Sequence, residues 1–167
     1  SKQIVHAPKE TARTEALSDG IFSIAMTLLV LEIHVPVLKG DESLLHALVA
    51  NWHEYVAFLI GFFTLLVCWI NHHYMFELIR KSNGILLLLN GLKLLVVSFT
   101  PFATALLAKY LGTEYQNTAV SVYALNFMFM GLSMTCLWCY AQSHGLTASP
   151  SSGLIKTTTR LYLFATV

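Results

Sequence analysis

Two apolar stretches of the sequence carry polar side chains that could do chemistry. Ser18 and Asp19 lie in the first stretch, and Trp69, His72 and His73 end the second. If the stretches cross a membrane in opposite directions, these residues share one depth and can form a buried hydrogen-bond network. Adjacent histidines diverge by about 100° on a helix, which disfavours a metal site, and no nucleophile elbow surrounds the serine. The pattern therefore predicts bonding between helices rather than catalysis or metal binding.

Other polar side chains in apolar stretches admit several roles. Lys93 lies within the third stretch and could line a wet cavity, pair with an acid such as Asp19, or extend to the membrane surface. Arg13 lies too far from Asp19 along one helix for the two to pair there. Asn90 and Asn126 are typical of bonds between membrane helices.

The cysteines do not indicate a disulfide framework or a metal centre. Cys68, Cys136 and Cys139 all fall within apolar stretches, and their number is odd. The last two form a single C-x-x-C without a second pair or a nearby histidine. We therefore expect all three to pack between helices.

The composition places the chain in a membrane. Hydrophobic residues make up 56% of the 167 residues and charged residues only 11%, against about 45–50% and 25% in soluble domains. The formal net charge of +1 offers no electrostatic attraction for a nucleic acid. The chain is long enough for one domain.

The spans follow from the length of the apolar stretches, since a membrane helix needs about 20 mostly apolar residues. The sequence predicts an all-α, polytopic bundle within a single domain over residues 1–167, with six spans in the full chain. Four spans and the start of a fifth lie in this sequence: Leu17–Val35, Tyr55–Ile70 extending to about Phe76, Gly84–Ala108, Ala119–Ala141, and Leu161–Val167.

The basic residues predict the orientation, because cytoplasmic loops of membrane proteins are enriched in lysine and arginine. Seven lie on one side of the predicted spans: Lys2, Lys9, Arg13, Arg80, Lys81, Lys156 and Arg160. Only Lys39 and Lys109 lie on the other. We expect a multi-pass protein with a cytoplasmic N-terminus, whose first span is retained because no signal-peptide cleavage site follows it.

The first span carries an apolar stripe and a separate polar face. At about 100° per residue, Ile24, Leu28 and Leu31 fall within about 60° of one another. Thr27 borders this stripe, and Asp19 points roughly 140° away from Ile24. From these residues alone, the stripe is compatible with lipid contact or with ordinary helix packing.

The first span resembles the first helix of the transmembrane protein 175 family, the endolysosomal potassium channels of animal cells and their bacterial relatives. The family motif is R-x-x-x-F-S-D, and this sequence has leucine where the family has phenylalanine. The residues that carry the resemblance are Arg13, Leu17, Ser18 and Asp19, followed by Ile24, Thr27, Leu28 and Leu31, with Trp69, His72, His73 and Pro101-Phe102 as weaker matches.

The resemblance implies a homotetramer in a bacterial inner membrane, with six helices per subunit and the first helix lining the pore. It implies that Ile24, Leu28 and Leu31 form an apolar constriction, and that Thr27 favours potassium. It further implies that a polar network holds the first helix in place: Arg13, Ser18, Asp19, Trp69, His72 and His73. Potassium and other monovalent cations are the expected permeant ions, with no cofactor and no T-V-G-Y-G filter.

Two other functions remain open at this point. A secondary transporter or proton-coupled carrier would use the intramembrane ionisable residues as coupling groups: Asp19, Glu32, His72, His73 and Lys93. Against this, the sequence shows no inverted repeat and no pair of broken helices. A membrane enzyme would need a nucleophile, metal set or cofactor motif, none of which occurs at convincing spacing.

Overall fold

The computed structural model describes residues 11–38 and 40–148, and the regular elements of this part are helices joined by short connections, as the sequence predicts. The first helix continues from α-helix into a short 3₁₀ turn, which we call the outer turn, at Leu29–Glu32. The five α-helices are α1 (Ala12–Leu28), α2 (Leu44–Ala50), α3 (Trp52–Leu78), α4 (Gly84–Tyr110) and α5 (Gln116–Ser143).

Four of these elements are long and apolar enough to cross a membrane. They are α1 with its outer turn, α3, α4 and α5. The four longer spans predicted from the sequence are thus present, while the stretch Leu161–Val167 lies outside the described residues.

The observed helices differ from the predicted spans mainly at their ends. The first begins at Ala12 rather than Leu17, and its helical structure ends at Glu32 rather than Val35. Ile33 is already extended, several residues before Pro36. Polar residues next to the bilayer can continue a helix outside the hydrocarbon, which accounts for the earlier start of the first helix.

Capping residues begin two of the helices. The Asn83 side chain accepts a hydrogen bond from the Leu86 backbone N–H at 2.9 Å, which starts α4 directly after the basic turn. Ser43 accepts from the His46 N–H at 3.2 Å at the start of α2. Such side chains satisfy backbone donors that the first helical turn leaves without intrahelical partners.

The start of α1, the end of α3 and the end of α5 meet at one end of the bundle. Thr11 Oγ1 lies 3.5 Å from the carbonyl oxygen of Ile79, and the Arg80 backbone N–H donates to the Leu146 carbonyl at 2.9 Å. This end therefore carries Arg13 as well as the basic turn between α3 and α4.

One side of α1 attaches it to the bundle. Buried residues recur every three or four positions along it: Thr14, Ser18, Phe22, Ala25 and Leu29. The apolar members pack in one core with Leu65 of α3, Leu94 and Val97 of α4, and Met130 of α5. The opposite side of α1 makes no comparable core with described helices.

Candidate functional site: the exposed face of the first helix

Large apolar side chains of α1 lie on the face that does not pack against the bundle. Ile24 is 60% exposed, Leu28 42% and Leu31 70%, and Leu17 is exposed toward the start of the helix. We call Ile24, Leu28 and Leu31 the stripe. On a helical projection, the centre of the stripe lies about 110° from the buried side. The stripe thus remains available to a surface outside the described chain.

The outer turn changes the alignment that α-helical spacing predicts. In a 3₁₀-helix, residues three apart eclipse each other, so Leu31 lies above Leu28. In a continuous α-helix, Leu31 would lie about 60° away from Leu28. The outer turn therefore narrows the stripe to about 40° instead of about 60°.

Thr27 is exposed beside the stripe, and its hydroxyl hydrogen is directed to the backbone of its own helix. Its Oγ1 lies 3.0 Å from the Ser23 carbonyl and 2.9 Å from the Ile24 carbonyl. A hydroxyl that donates to a carbonyl still has lone pairs with which it can accept. Those lone pairs are the group that could approach a cation.

Two separate hydrogen bonds attach α1 to its neighbours. Trp69 Nε1 of α3 donates to Asp19 Oδ1 at 2.8 Å. Asn90 Nδ2 of α4 donates to Ser18 Oγ at 3.0 Å, and the serine donates to the Thr14 carbonyl at 2.8 Å. The sequence predicted a bond between helices for Asn90, but it did not identify Ser18 as its partner.

His72 and His73 do not form the hydrogen bonds with Ser18 and Asp19 that the sequence predicts. His72 is buried against Phe22 and Phe76, with ring centroids 5.6 and 4.5 Å away. Neither of its ring nitrogens has a hydrogen-bond partner among residues 11–38 and 40–148. The predicted hydrogen bonding of His72 with Ser18 and Asp19 is therefore absent from this part of the chain.

His73 faces the outside of the bundle, because adjacent helical residues diverge by about 100°. Its ring stacks near Trp69 at 5.8 Å, and its Nε2 lies 3.7 Å from Glu77 Oε1. It can therefore support the tryptophan that binds Asp19 without bonding to the aspartate itself. Arg13 is exposed on the first turn of α1.

Lys93 does not pair with Asp19, as one of the sequence alternatives proposed. Its side chain is fully buried, and Nζ lies 5.0 Å from the centroid of the Phe22 ring. Within the described residues Nζ has no hydrogen-bond partner. The remaining contact is a cation–π arrangement, and it lies behind α1 rather than on the stripe.

Two recesses flank the helices. A cavity of about 390 Å³ lies between α3 and α5 and includes Phe63, Val67 and Met130 in its lining. A recess of about 520 Å³ near the outer turn includes Glu32 and Glu54. The backbone N–H of His34 donates to Glu54 Oε2 at 2.7 Å. This hydrogen bond links the segment after the outer turn to the start of α3 beside the recess.

The structure supplies no candidate metal centre in the part that it describes, where no group of three or more suitable side chains comes together. The three cysteines are free, and Cys136 and Cys139 are exposed rather than packed between the described helices. Their side of α5 faces away from the other described helices, so the expectation that both pack between helices stays a prediction for surfaces outside the described residues.

Comparison with known proteins identifies similar chains. The family model described as the endosomal/lysosomal potassium channel TMEM175 matches residues 13–101, more than half of the chain. A potassium channel of Chamaesiphon minutus is 46% identical over 142 residues, covering 83% of this chain and 70% of its own. The endosomal/lysosomal proton channel TMEM175 of Mus musculus is 32% identical over 151 residues, which are 84% of this chain and 30% of its own.

A solved structure has the same arrangement of helices. It is the crystal structure of a lysosomal potassium-selective channel TMEM175 homolog from Chamaesiphon minutus, with a TM-score of 0.82 and 41% sequence identity. The match covers 93% of this chain and 80% of the crystallised one. Residues 13–101, which the family model matches, include the stripe and the residues that attach α1 to α3 and α4.

Proposed function

The chain belongs to the TMEM175 family of potassium channels, and we propose that it is a homotetrameric, potassium-permeable cation channel whose pore is lined by α1. Its relatives from Chamaesiphon minutus and Mus musculus are ion channels rather than enzymes. We place it as a multi-pass protein in a bacterial inner membrane with its N-terminus in the cytoplasm. The basic side chains Arg13, Arg80 and Lys81 at one end of the bundle support this orientation.

The observation that carries the proposal is the unpacked face of α1. The stripe is apolar and exposed, and two exposed residues beside it, Ser23 and Thr27, carry hydroxyl groups. Polar groups facing hydrocarbon are costly, whereas a face directed at a water-filled axis accommodates them. Four copies of this face around an axis would give a neck of Ile24, Leu28 and Leu31, with Thr27 at its border.

The proposed neck controls conduction through desolvation. Rings of large apolar side chains leave little room for water, and a cation that sheds its hydration shell there gains no compensating ligands. Such a constriction closes by dewetting and conducts when it widens or becomes hydrated. The Thr27 hydroxyls would supply oxygen ligands next to the neck and so bias permeation toward potassium.

The experiment is to shorten the stripe and measure single-channel currents of purified protein in lipid bilayers with potassium on both sides. Leu28→Ala should widen and wet the neck, which raises conductance severalfold and lowers the potassium preference over sodium. Ile24→Ala should act in the same direction. The matched control is Leu95→Ala, because Leu95 is also a large exposed apolar residue but lies on α4.

The control separates a pore-lining face from a lipid-facing one. Under the proposal, Leu95→Ala conducts like the parent. If the two stripe variants conduct like the parent while Leu95→Ala alters conductance, the ion pathway lies on another helix and the assignment of α1 is wrong.

A further inference from the structure

The outer turn packs against α3 at a glycine, where α3 has no side chain. Gly61 of α3 is buried against Thr104 of α4 and Leu29 of the outer turn. A Cβ atom added at Gly61 would lie 2.8 Å from Thr104 Oγ1, 3.0 Å from Thr104 Cγ2 and 3.2 Å from Leu29 Cδ2. These distances are too short for an alanine unless a neighbour moves, so the close approach of the three elements depends on glycine.

Leu29 is the residue at which α1 changes its helix type. It is the first residue of the outer turn, and its side chain is completely buried. The turn closes with the Ile33 backbone N–H donating to the Val30 carbonyl at 3.2 Å. Displacing Leu29 changes the rotational position of every residue after it, including Leu31, but leaves Ile24 and Leu28 within α1.

We propose that Gly61 is a positioning residue for ion permeation. Because Gly61 has no side chain, Leu29 can pack against Gly61 and Thr104, a contact that we call the seat. The seat holds the outer turn in the 3₁₀ form that keeps Leu31 above Leu28. This inference rests on the proposed pore-lining role of α1. In the proposed tetramer, the seat aligns the four Leu31 side chains with the four Leu28 side chains, so that both sets contribute to the neck. Loss of the seat removes that alignment, with a rotation of Leu31 of up to about 60°.

The first test is Gly61→Ala, measured as single-channel potassium conductance of the assembled protein in bilayers. The added methyl pushes on Leu29 and Thr104, so Leu31 turns out of line with Leu28, the neck closes less tightly at that level, and conductance should rise at least twofold. Gly91→Ala is the matched control, since Gly91 lies in the exposed part of α4 and an added Cβ there meets no atom within 4 Å. Parent conductance in Gly61→Ala overturns the proposal.

A second variant tests whether the space at Gly61 is the cause. Thr104→Ala removes both Thr104 atoms that the new methyl would meet. The lost hydroxyl has no hydrogen-bond partner in the described residues, so no bond is sacrificed. In the double variant Gly61→Ala/Thr104→Ala, the new methyl can move into the space left on α4 and away from Leu29 Cδ2, so the conductance should return to within the parent range. Failure of this rescue overturns the proposal.

Combination with Leu31→Ala separates positioning from general loosening of the fold. Leu31→Ala alone should raise conductance, and adding Gly61→Ala to it should raise it no further, because the side chain being positioned is already removed. If Leu31→Ala raises conductance and Gly61→Ala does not, the pore assignment stands and the positioning role is refuted. If Leu31→Ala has no effect while Leu28→Ala raises conductance, Leu31 is not part of the neck, so this inference fails and the pore assignment stands.

If Gly61→Ala does not assemble, a variant of Leu29, the contact partner of Gly61, tests the same proposal. Leu29→Val shortens the side chain that touches Gly61 and adds no volume, so it should assemble while loosening the outer turn. We expect the same direction of change, a conductance at least twofold above the parent. An unchanged conductance in Leu29→Val overturns the proposal.

Discussion

Replacing Ser18 by alanine tests whether the polar residues of α1 attach the helix or contact ions. Ser18 and Asn90 are both buried, and their 3.0 Å hydrogen bond joins α1 to α4. In the described part of the chain, Asn90 Oδ1 already lacks a partner. Ser18→Ala therefore leaves the Asn90 amide without its bond to α1, inside the bundle.

The size of the effect follows from this burial. An unsatisfied buried amide costs about 1–3 kcal/mol, whereas hydrogen bonds between membrane helices average about 0.6 kcal/mol and reach about 1.7. We expect Ser18→Ala to lower the free energy of unfolding by about 1 kcal/mol. Combining it with Asn90→Leu should recover most of this loss, because two apolar partners leave no buried polar group unpaired.

The assay is reversible unfolding in mixed detergent micelles, with potassium and sodium reversal potentials measured on the same preparations. Ser23→Ala is the control, since Ser23 lies exposed on the same helix and its loss should change stability by less than about 0.5 kcal/mol. If Ser18→Ala leaves stability unchanged but shifts the reversal potential, Ser18 contacts the permeating ion. The attachment role of Ser18 would then be refuted.

Three further predictions concern Thr27, Lys93 and the contact between Asp19 and Trp69. Thr27→Val should reduce the preference for potassium over sodium measured from reversal potentials, because it removes the hydroxyl lone pairs beside the stripe. An unchanged potassium-to-sodium permeability ratio would exclude a role of Thr27 in selectivity. Lys93→Met should raise the free energy of unfolding by about 1 kcal/mol or more, since it removes a buried charge without a hydrogen-bond partner in the described chain; a less stable variant would contradict this. Asp19→Asn should lower tetramer yield in size-exclusion chromatography more than it alters conductance, and Trp69→Phe should do the same, because both weaken one 2.8 Å contact away from the stripe; normal yield with altered selectivity would refute this.

The membrane spans could be predicted because backbone groups in hydrocarbon must be satisfied within their own helix, which makes apolar length informative. Their ends could not, since polar residues at the bilayer surface continue a helix as readily as apolar ones. The outer turn was also beyond prediction. It depends on how Leu29 packs against Gly61, and these residues lie far apart in the sequence.

The candidate site could be predicted as far as angles on a single helix allow. The spacing separates Asp19 from the stripe, and the structure directs Asp19 to Trp69. The partner within α3 could not be chosen in the same way. Trp69, His72 and His73 are all at a suitable depth, and which of them faces α1 depends on the rotation of α3. Lys93 was ambiguous for a similar reason, because its packing on Phe22 comes from another helix.

The attachment of α1 bears on how a neck on this helix could work. Toward its start the helix is held by the polar contacts of Ser18 and Asp19 with α4 and α3. At its other end it is held by Leu29 against Gly61. Both sets of contacts leave the stripe unpacked within its own chain. The stripes of the four subunits in the proposed tetramer can therefore approach one another around the pore axis. Loss of the contact between Leu29 and Gly61 would then move Leu31 but neither Ile24 nor Leu28, whereas loss of the Ser18 and Asp19 contacts would release the whole helix. Variants at the two sets of contacts should therefore differ in kind: those at Gly61 change conductance in assembled protein, and those at Ser18 or Asp19 reduce assembly or stability.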